Sequence, residues 1–174
     1  PGVENPYAGL PKVSMFTFEM NDHFKDPRFT GEGFDKYTFN FKEFFRVDKQ
    51  GKFVYENDVK KFLDNITNPG TTNYPFSTRA FRNRLRHTLW IMPGIKEANA
   101  LEELLKQHPV FSQEYRVLNV VKNDKSIDIV GTDNDAEAEN KAIDQADKDG
   151  KKTITLTVRK LTTGATIPKW TGVI

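Results

Sequence analysis

Close to its carboxyl end the chain reads TVRKLTTGATIPKW, Thr157 to Trp170, with threonines where a buried strand would be expected to carry aliphatics. A strand that runs into a polar Thr-Thr-Gly turn brings hydroxyls and backbone N–H groups to its carboxyl end. That is where parallel α/β sheets hold their ligands and where anions find donors. The turn reads as a candidate site.

Other chemistries fail on their residue types. The segment QADKDGKKTITL imitates a calcium loop, with Asp147, Asp149 and Gly150 at the third, fifth and sixth positions. Gln145 then occupies the first position and Leu156 the twelfth, where a bidentate carboxylate is required, so a helix end closed by its glycine is expected instead. There is no cysteine, which excludes disulfides and thiolate metal sites, and three scattered histidines form no metal cluster. No phosphate-binding loop occurs either: Gly51-Lys52 is followed by Phe53, and Gly150-Lys151 by Lys152. A serine-nucleophile elbow is missing, and His23, His87 and His108 stand beside no evident nucleophile. His87, at the head of an apolar run, is expected to be structural. No residue is assigned a catalytic or metal-binding role.

The 174 residues suit one domain with an appendage, and the net charge of +2 is too small to mark a nucleic-acid binder by itself. The distribution is uneven. Arg79, Arg82, Arg84 and Arg86 come with no acid between them, whereas Asp124 to Asp149 holds nine acids and only three lysines. No apolar run approaches a membrane span and the start PGVENPYAGLP is unlike a signal peptide, so a cytoplasmic location without membrane contact is expected. The missing initiator Met and the end at GVI lead us to expect a fragment of something longer.

Two kinds of sequence follow one another. Eleven of the fourteen phenylalanines lie between Phe16 and Phe62, and their spacing points to a satellite core rather than a base-stacking surface. Here KVSMFTFEM reads as a strand, RFTGEGFDKYTFNF as turn-rich, and YENDVKKFLDNI as a helix that buries Val59, Phe62, Leu63 and Ile66, with Asn57 as its N-cap. From Arg86 onward strands and helices alternate: HTLWIM, a turn at Pro93-Gly94, the helix IKEANALEELLKQH with Ala98, Leu101 and Leu105 on one face, then YRVLNVV. The helix AEAENKAIDQADKDG, the strand KTITLTV and the start of a fourth strand in TGVI complete the order. This predicts an α/β fold, a parallel sheet with flanking helices and right-handed crossovers.

With these elements in place, HTLWIMPGIKEANALEELLKQHPVF resembles motif IV of the second RecA-like domain of superfamily 2 helicases, where a strand runs through a turn into a helix that touches the nucleic-acid backbone. TITLTVRKLTTGATIPKWTGVI resembles motif V of the same domain. Taken together, residues 86–174 resemble the motor part of restriction–modification enzymes of the type I and type III kind, and 1–85 would be the aromatic-rich α+β region connected to or inserted before that domain. The resemblance implies a P-loop NTPase type of second domain, truncated here, whose missing first RecA-like domain carries the catalytic phosphate loop and holds ATP with Mg2+. It implies DNA-backbone contacts at Pro93, Gly94, Arg159, Lys160, Thr162 and Thr163, and nucleotide contacts at Gly164 and Thr166. The family carries an acid two residues after that glycine, where this chain has Thr166. The partner implied is DNA gripped without regard to sequence, and the fragment alone is expected to hydrolyse no ATP and to hold no cofactor tightly.

Two rivals rest on other features. The arginines from Arg79 to Arg86 suit a plain nucleic-acid-binding module, and the acidic stretch with the Phe-rich segment suits a protein-interaction domain.

Overall fold

Every residue of KTITLTV is buried, and the rest of the sheet is built around this strand. A computed structural model describes residues 26–29, 39–70, 75–121, 133–158 and 167–174. Its elements are α1 (Phe41–Phe44), α2 (Glu56–Thr67), α3 (Arg79–Arg84), β1 (His87–Met92), α4 (Ile95–Gln107), α5 (Pro109–Glu114), β2 (Tyr115–Asn119), α6 (Asp133–Lys148), β3 (Lys152–Val158) and β4 (Gly172–Val173). The four strands lie in the order β2-β3-β1-β4, and all three pairings are parallel. The expected α/β architecture, a parallel sheet with flanking helices, is present and is compatible with a RecA-like or Rossmann-like layout.

The alternation of β3 gives the sheet two unlike faces, because successive side chains on a strand point to opposite sides. Ile154, Leu156 and Val158 share one face with Thr88, Trp90 and Met92 of β1, their partners in register. That face meets the apolar stripe of α4, where Ala98, Leu101 and Leu105 are buried in the same cluster. Thr153, Thr155 and Thr157 share the other face with His87, Leu89 and Ile91. Helix α6 covers it: the buried Thr155 hydroxyl donates to the Glu139 carboxylate, and Ile143 and Ala146 are fully buried. Burial pushes the Glu139 carboxyl above its ordinary range, and the threonine hydroxyl opposes this in part.

Glycines close the elements where the backbone demands it. Gly150 has φ +70°, its N–H bonds to the Asp147 carbonyl at 3.0 Å, and the Lys151 N–H reaches the Ala146 carbonyl at 2.8 Å. These are the two bonds of a Schellman ending, so the calcium-like segment is a helix stop, as the sequence indicated. At Gly172 a Cβ would lie 2.8 Å from Leu85 Cδ2, so any other residue there would require the Leu85 side chain to shift. Beyond it, Val173 and Ile174 are 65% and 41% exposed.

Among the described residues the phenylalanines of the amino-terminal part pack into or against the core, except Phe41, which is 49% exposed. Phe29, Phe44, Phe45 and Phe53 are buried, and Phe29 meets Phe44 and Tyr55 edge to face at 5.0 and 4.9 Å. Such pairs add to simple burial. Phe76 continues the aromatic packing into the sheet, against Trp90, Phe111 and Tyr115 at 5.4–5.8 Å, and the cluster is contiguous on both sides of residue 85. Helix α2 buries Val59, Leu63 and Ile66 as expected, while Phe62, expected on the same buried face, is only partly buried against the core. Its cap is a correction. Tyr55, not Asn57, is the N-cap, and Asn57 lies inside the first turn. The Tyr55 ring is fixed by Phe29 and its hydroxyl donates to Glu43 at 2.8 Å, so tertiary packing decides where the helix starts. The short helices α1, α3 and α5 were not anticipated, and the strand expected at KVSMFTFEM lies outside the described residues.

His108 joins two helices. Its Nδ1 accepts the Val110 and Phe111 N–H groups at the start of α5, at 3.2 and 3.4 Å. The ring proton therefore sits on Nε2, which faces Asp64 Oδ1 at 3.3 Å and Thr67 Oγ1 at 3.5 Å. Burial holds the pKa of both His108 and His87 below the usual 6.5, although Asp64 and Asp147 oppose it.

Two outcomes follow from this packing. Phe111→Ala should cost about 3–5 kcal/mol in denaturant unfolding, because a fully buried ring among Phe76, Trp90 and Tyr115 leaves a cavity. As the pH falls below about 6.5 the unfolded chain binds protons that the folded histidines refuse, so their contribution is complete above that value and is lost below it. His108→Asn keeps an N-cap acceptor. It should make the loss of stability between about pH 7 and about pH 5 shallower than in the unaltered chain. An unchanged slope would assign that dependence to other groups.

Candidate nucleic-acid interface

β1 and β3 end level with one another. Met92 and Val158 are Cα partners, so the Pro93-Gly94 turn begins beside the last described residue before the threonine turn. Of the residues expected to touch DNA or nucleotide, Pro93 and Gly94 are described. Arg159, Lys160, Thr162, Thr163, Gly164 and Thr166 lie outside the described residues.

Gly94 is the N-cap of α4. Its backbone is extended, at φ −163°, with no side-chain cap, and its carbonyl accepts the Ala98 N–H at 3.0 Å. The first-turn N–H groups of a thirteen-residue helix carry partial positive charge and attract anions. Glu97 already answers part of that field: its carboxylate lies against Gly94, in the space a Cβ would take. A phosphate reaching these donors must displace a negative side chain. No local signal marks this, because Glu97 reads as an ordinary acid in a first turn.

From Ile167 onward the chain joins the sheet through defined contacts. Ile167 is buried, and Trp170 N–H bonds to its carbonyl at 3.2 Å. The ammonium of Lys169 pairs with Asp144, and with Asp147 at 3.3 Å, both on α6. The N–H and the hydroxyl of Thr171 both donate to the His87 carbonyl, at 2.8 and 3.1 Å, and β4 then pairs with β1.

The arginine cluster divides. Arg82 donates to Glu114 at 3.0 Å and to the Phe76 carbonyl at 2.8 Å, and Arg86 donates to Asp147 at 2.7 Å. These two guanidinium groups are engaged in holding the fold. Arg79 and Arg84 are exposed on α3. The acids from Glu137 to Asp149 are similarly committed: Glu137 to Lys141, Glu139 to Thr155, Asp144 and Asp147 to Lys169, Asp149 to Arg116.

One constellation escaped the sequence reading. Asp147 Oδ1 lies 3.1 Å from His87 Nε2, and His87 Nδ1 lies 2.9 Å from the Thr153 hydroxyl. Carboxylate, imidazole and hydroxyl thus follow one another as in a nucleophilic relay. Access decides against that role. Thr153 is 0% exposed and His87 is buried, so no substrate reaches the hydroxyl. The group sits at the amino end of the strands and ties α6 to the sheet, which agrees with the structural reading of His87. No local signal marked it, because His87 and Asp147 are far apart in sequence. Among the described residues no cluster of His, Asp and Glu could hold a metal, and no helix is long and apolar enough to cross a membrane.

No family model matches the chain, and no solved structure matches it significantly. The chain is 29% identical over 185 residues to a Mycoplasma pneumoniae protein described as "Putative type II restriction enzyme and methyltransferase RM.MpnORF110P C-terminus". The match takes in 96% of this chain and 25% of that protein, so the chain spans about a quarter of the relative's length. Nothing in the relative's name refers to a helicase or to ATP. The similarity relates this chain to a protein of restriction and modification.

Proposed function

We propose that this chain is the DNA-gripping half of an ATP-driven translocase within a restriction–modification enzyme, formed as a second RecA-like domain. The observation that carries this reading is the level ending of β1 and β3 at Met92 and Val158, in a chain similar to a restriction–modification protein. The Pro93-Gly94 turn and the residues that follow Val158 thereby leave neighbouring strands at the same level. The hydroxyls of Thr162 and Thr163, with Arg159, Lys160 and the Pro93-Gly94 turn, bind phosphate oxygens of one strand, contacts that hold the backbone without reading bases. Gly164 and Thr166 face the nucleotide, Gly164 because its bare backbone permits close approach.

The described residues offer neither a phosphate loop nor a metal-holding cluster, so ATP and Mg2+ would be held mainly by a first RecA-like domain elsewhere in the same polypeptide. Bound there, ATP would supply the energy of closure. This chain's part is to grip DNA in register with that closure, and by itself it turns over no ATP.

A simpler reading, a nucleic-acid-binding module without a motor, rests on Arg79 and Arg84, the two exposed members of the arginine cluster. DNA affinity that ignores nucleotide in the full-length enzyme, and that falls on Arg79→Ala with Arg84→Ala, would favour it. The acidic docking surface has weaker support, since most of its described acids are already paired.

Thr162→Val with Thr163→Val removes the hydroxyls and keeps the volume. DNA affinity by fluorescence anisotropy should fall by about tenfold or more, since hydrogen bonds to charged groups contribute roughly 1.5–3 kcal/mol each. Melting temperature should hardly move, and in the full-length enzyme DNA-stimulated ATPase should fall with the affinity. Unchanged affinity with a large loss of stability would make the threonines structural and end the motor reading. Glu97→Gln should act oppositely, tightening DNA binding several-fold at low salt by clearing negative charge from the start of α4, with the gain shrinking as salt rises. Weaker binding in that variant would remove the Pro93-Gly94 turn from the interface.

A further inference from the structure

Far from the sheet edges, residues 46–54 form a hairpin that holds its own shape. The Val54 N–H bonds to the Arg46 carbonyl at 2.9 Å and the Asp48 N–H to the Lys52 carbonyl at 2.8 Å, with Val47 and Phe53 bridged antiparallel between them. The loop Lys49-Gln50-Gly51 closes with the Gly51 N–H on the Asp48 carbonyl at 3.2 Å and with Gly51 at φ +80°, the three-residue connection whose left-handed position glycine fills. Phe53 is buried beside Phe45, ring centroids 5.8 Å apart, so the base of the hairpin is anchored in the aromatic core. Lys49, Gln50, Gly51 and Lys52 at the tip are exposed.

Charge at this tip is arranged with one sign outward. Asp48 is the only acid of the hairpin, and its Oδ1 is occupied by the Gln50 and Lys52 N–H groups, both at 2.9 Å. The neighbouring acids are engaged as well, Glu43 by Arg46 and the Tyr55 hydroxyl, Glu56 by Lys60 and Asp58 by Arg28. Among the described residues Lys49 and Lys52 form no ion pair, whereas Lys106, Lys141, Lys152 and Lys169 each face a carboxylate. We propose that the 46–54 hairpin is a DNA-backbone contact in which Lys49 and Lys52 each meet a phosphate. Lysine binds a phosphate as a point charge and reads no base, and a turn already shaped by its own hydrogen bonds loses little freedom on binding. DNA is the polyanion to expect in a chain similar to a restriction and modification protein. The inference shares DNA with the function proposed above, and it needs neither the motor nor the residues from 159 to 166.

The test is the salt dependence of binding to a labelled DNA duplex, read by fluorescence anisotropy in the complete chain. Each phosphate contact contributes about 0.9 to the slope of log affinity against log salt. Lys49→Ala with Lys52→Ala should therefore flatten that slope by about two and weaken binding several-fold at low salt, while melting temperature hardly moves because both side chains are exposed. Lys141→Ala with Lys148→Ala removes the same charge from exposed positions of α6 and should leave the slope as it is. Equal flattening in both doubles would reduce the effect to net charge and overturn the hairpin contact. An unchanged slope in the hairpin double, the result expected if the turn serves an acidic protein surface, would overturn it too, and so would a chain that binds no duplex at all. A slope that flattens with the hairpin double, in a chain whose affinity ignores Thr162→Val with Thr163→Val, would uphold the hairpin and sink the motor reading.

Discussion

The pairing of β1 with β3, six residues in register from His87↔Thr153 to Met92↔Val158, is the constraint on which the rest of this molecule depends. Both strands are interior to the sheet and both are covered on two sides, which is the usual condition of parallel strands. One face is filled by aliphatic and aromatic side chains under α4. The other is lined by threonines under α6, and a hydroxyl in such a place must find a partner. Thr155 finds Glu139 and Thr153 finds His87. The polar face therefore specifies which helix lies over it and at which height, something an oily face does less sharply.

The register also separates the two ends of the sheet by task. At the amino ends Arg86, His87, Asp147, Lys152 and Glu114 form networks that bind helices to strands, with Lys152 buried and paired to Glu114 at 3.0 Å beneath the Arg82 guanidinium. Burial, the largest single effect, pushes the Glu114 carboxyl up, but the hydrogen bonds and charges of those two cations together outweigh it and hold the group below its usual range. At the carboxyl ends the described residues offer a bare turn, a helix start and the root of a threonine-rich segment. Under the proposed function, stability and ligand contact fall to opposite edges, the common division of labour in open α/β sheets.

Much of the scaffold could be read from the chain because its elements are punctuated. HTLWIM stops at Pro93-Gly94, α6 stops at Gly150, and the Val59, Leu63 and Ile66 spacing leaves no doubt about the buried face of α2. Short helices of four to six residues, α1, α3 and α5, complete less than two turns and show no period to detect. The start of α2 was misplaced because a tyrosine ring and not a local cap sets it. At the candidate interface the turn after β1 was legible and the Glu97 carboxylate over it was not. Long-range pairs explain the remaining gap: half the arginine cluster is spent on Glu114 and Asp147, partners that no window of sequence contains.

β4 adds a consequence of another kind. Among the described residues it is the outer strand on its side, short, with Val173 and Ile174 exposed and its inner row of hydrogen bonds made to Leu89 and Ile91. It carries no charge, proline or bulge of the sort that natural edge strands use to repel a neighbour. A strand edge of this kind is a template for the addition of a further strand. Within a larger assembly the same rim is where the sheet can widen without disturbing any existing bond.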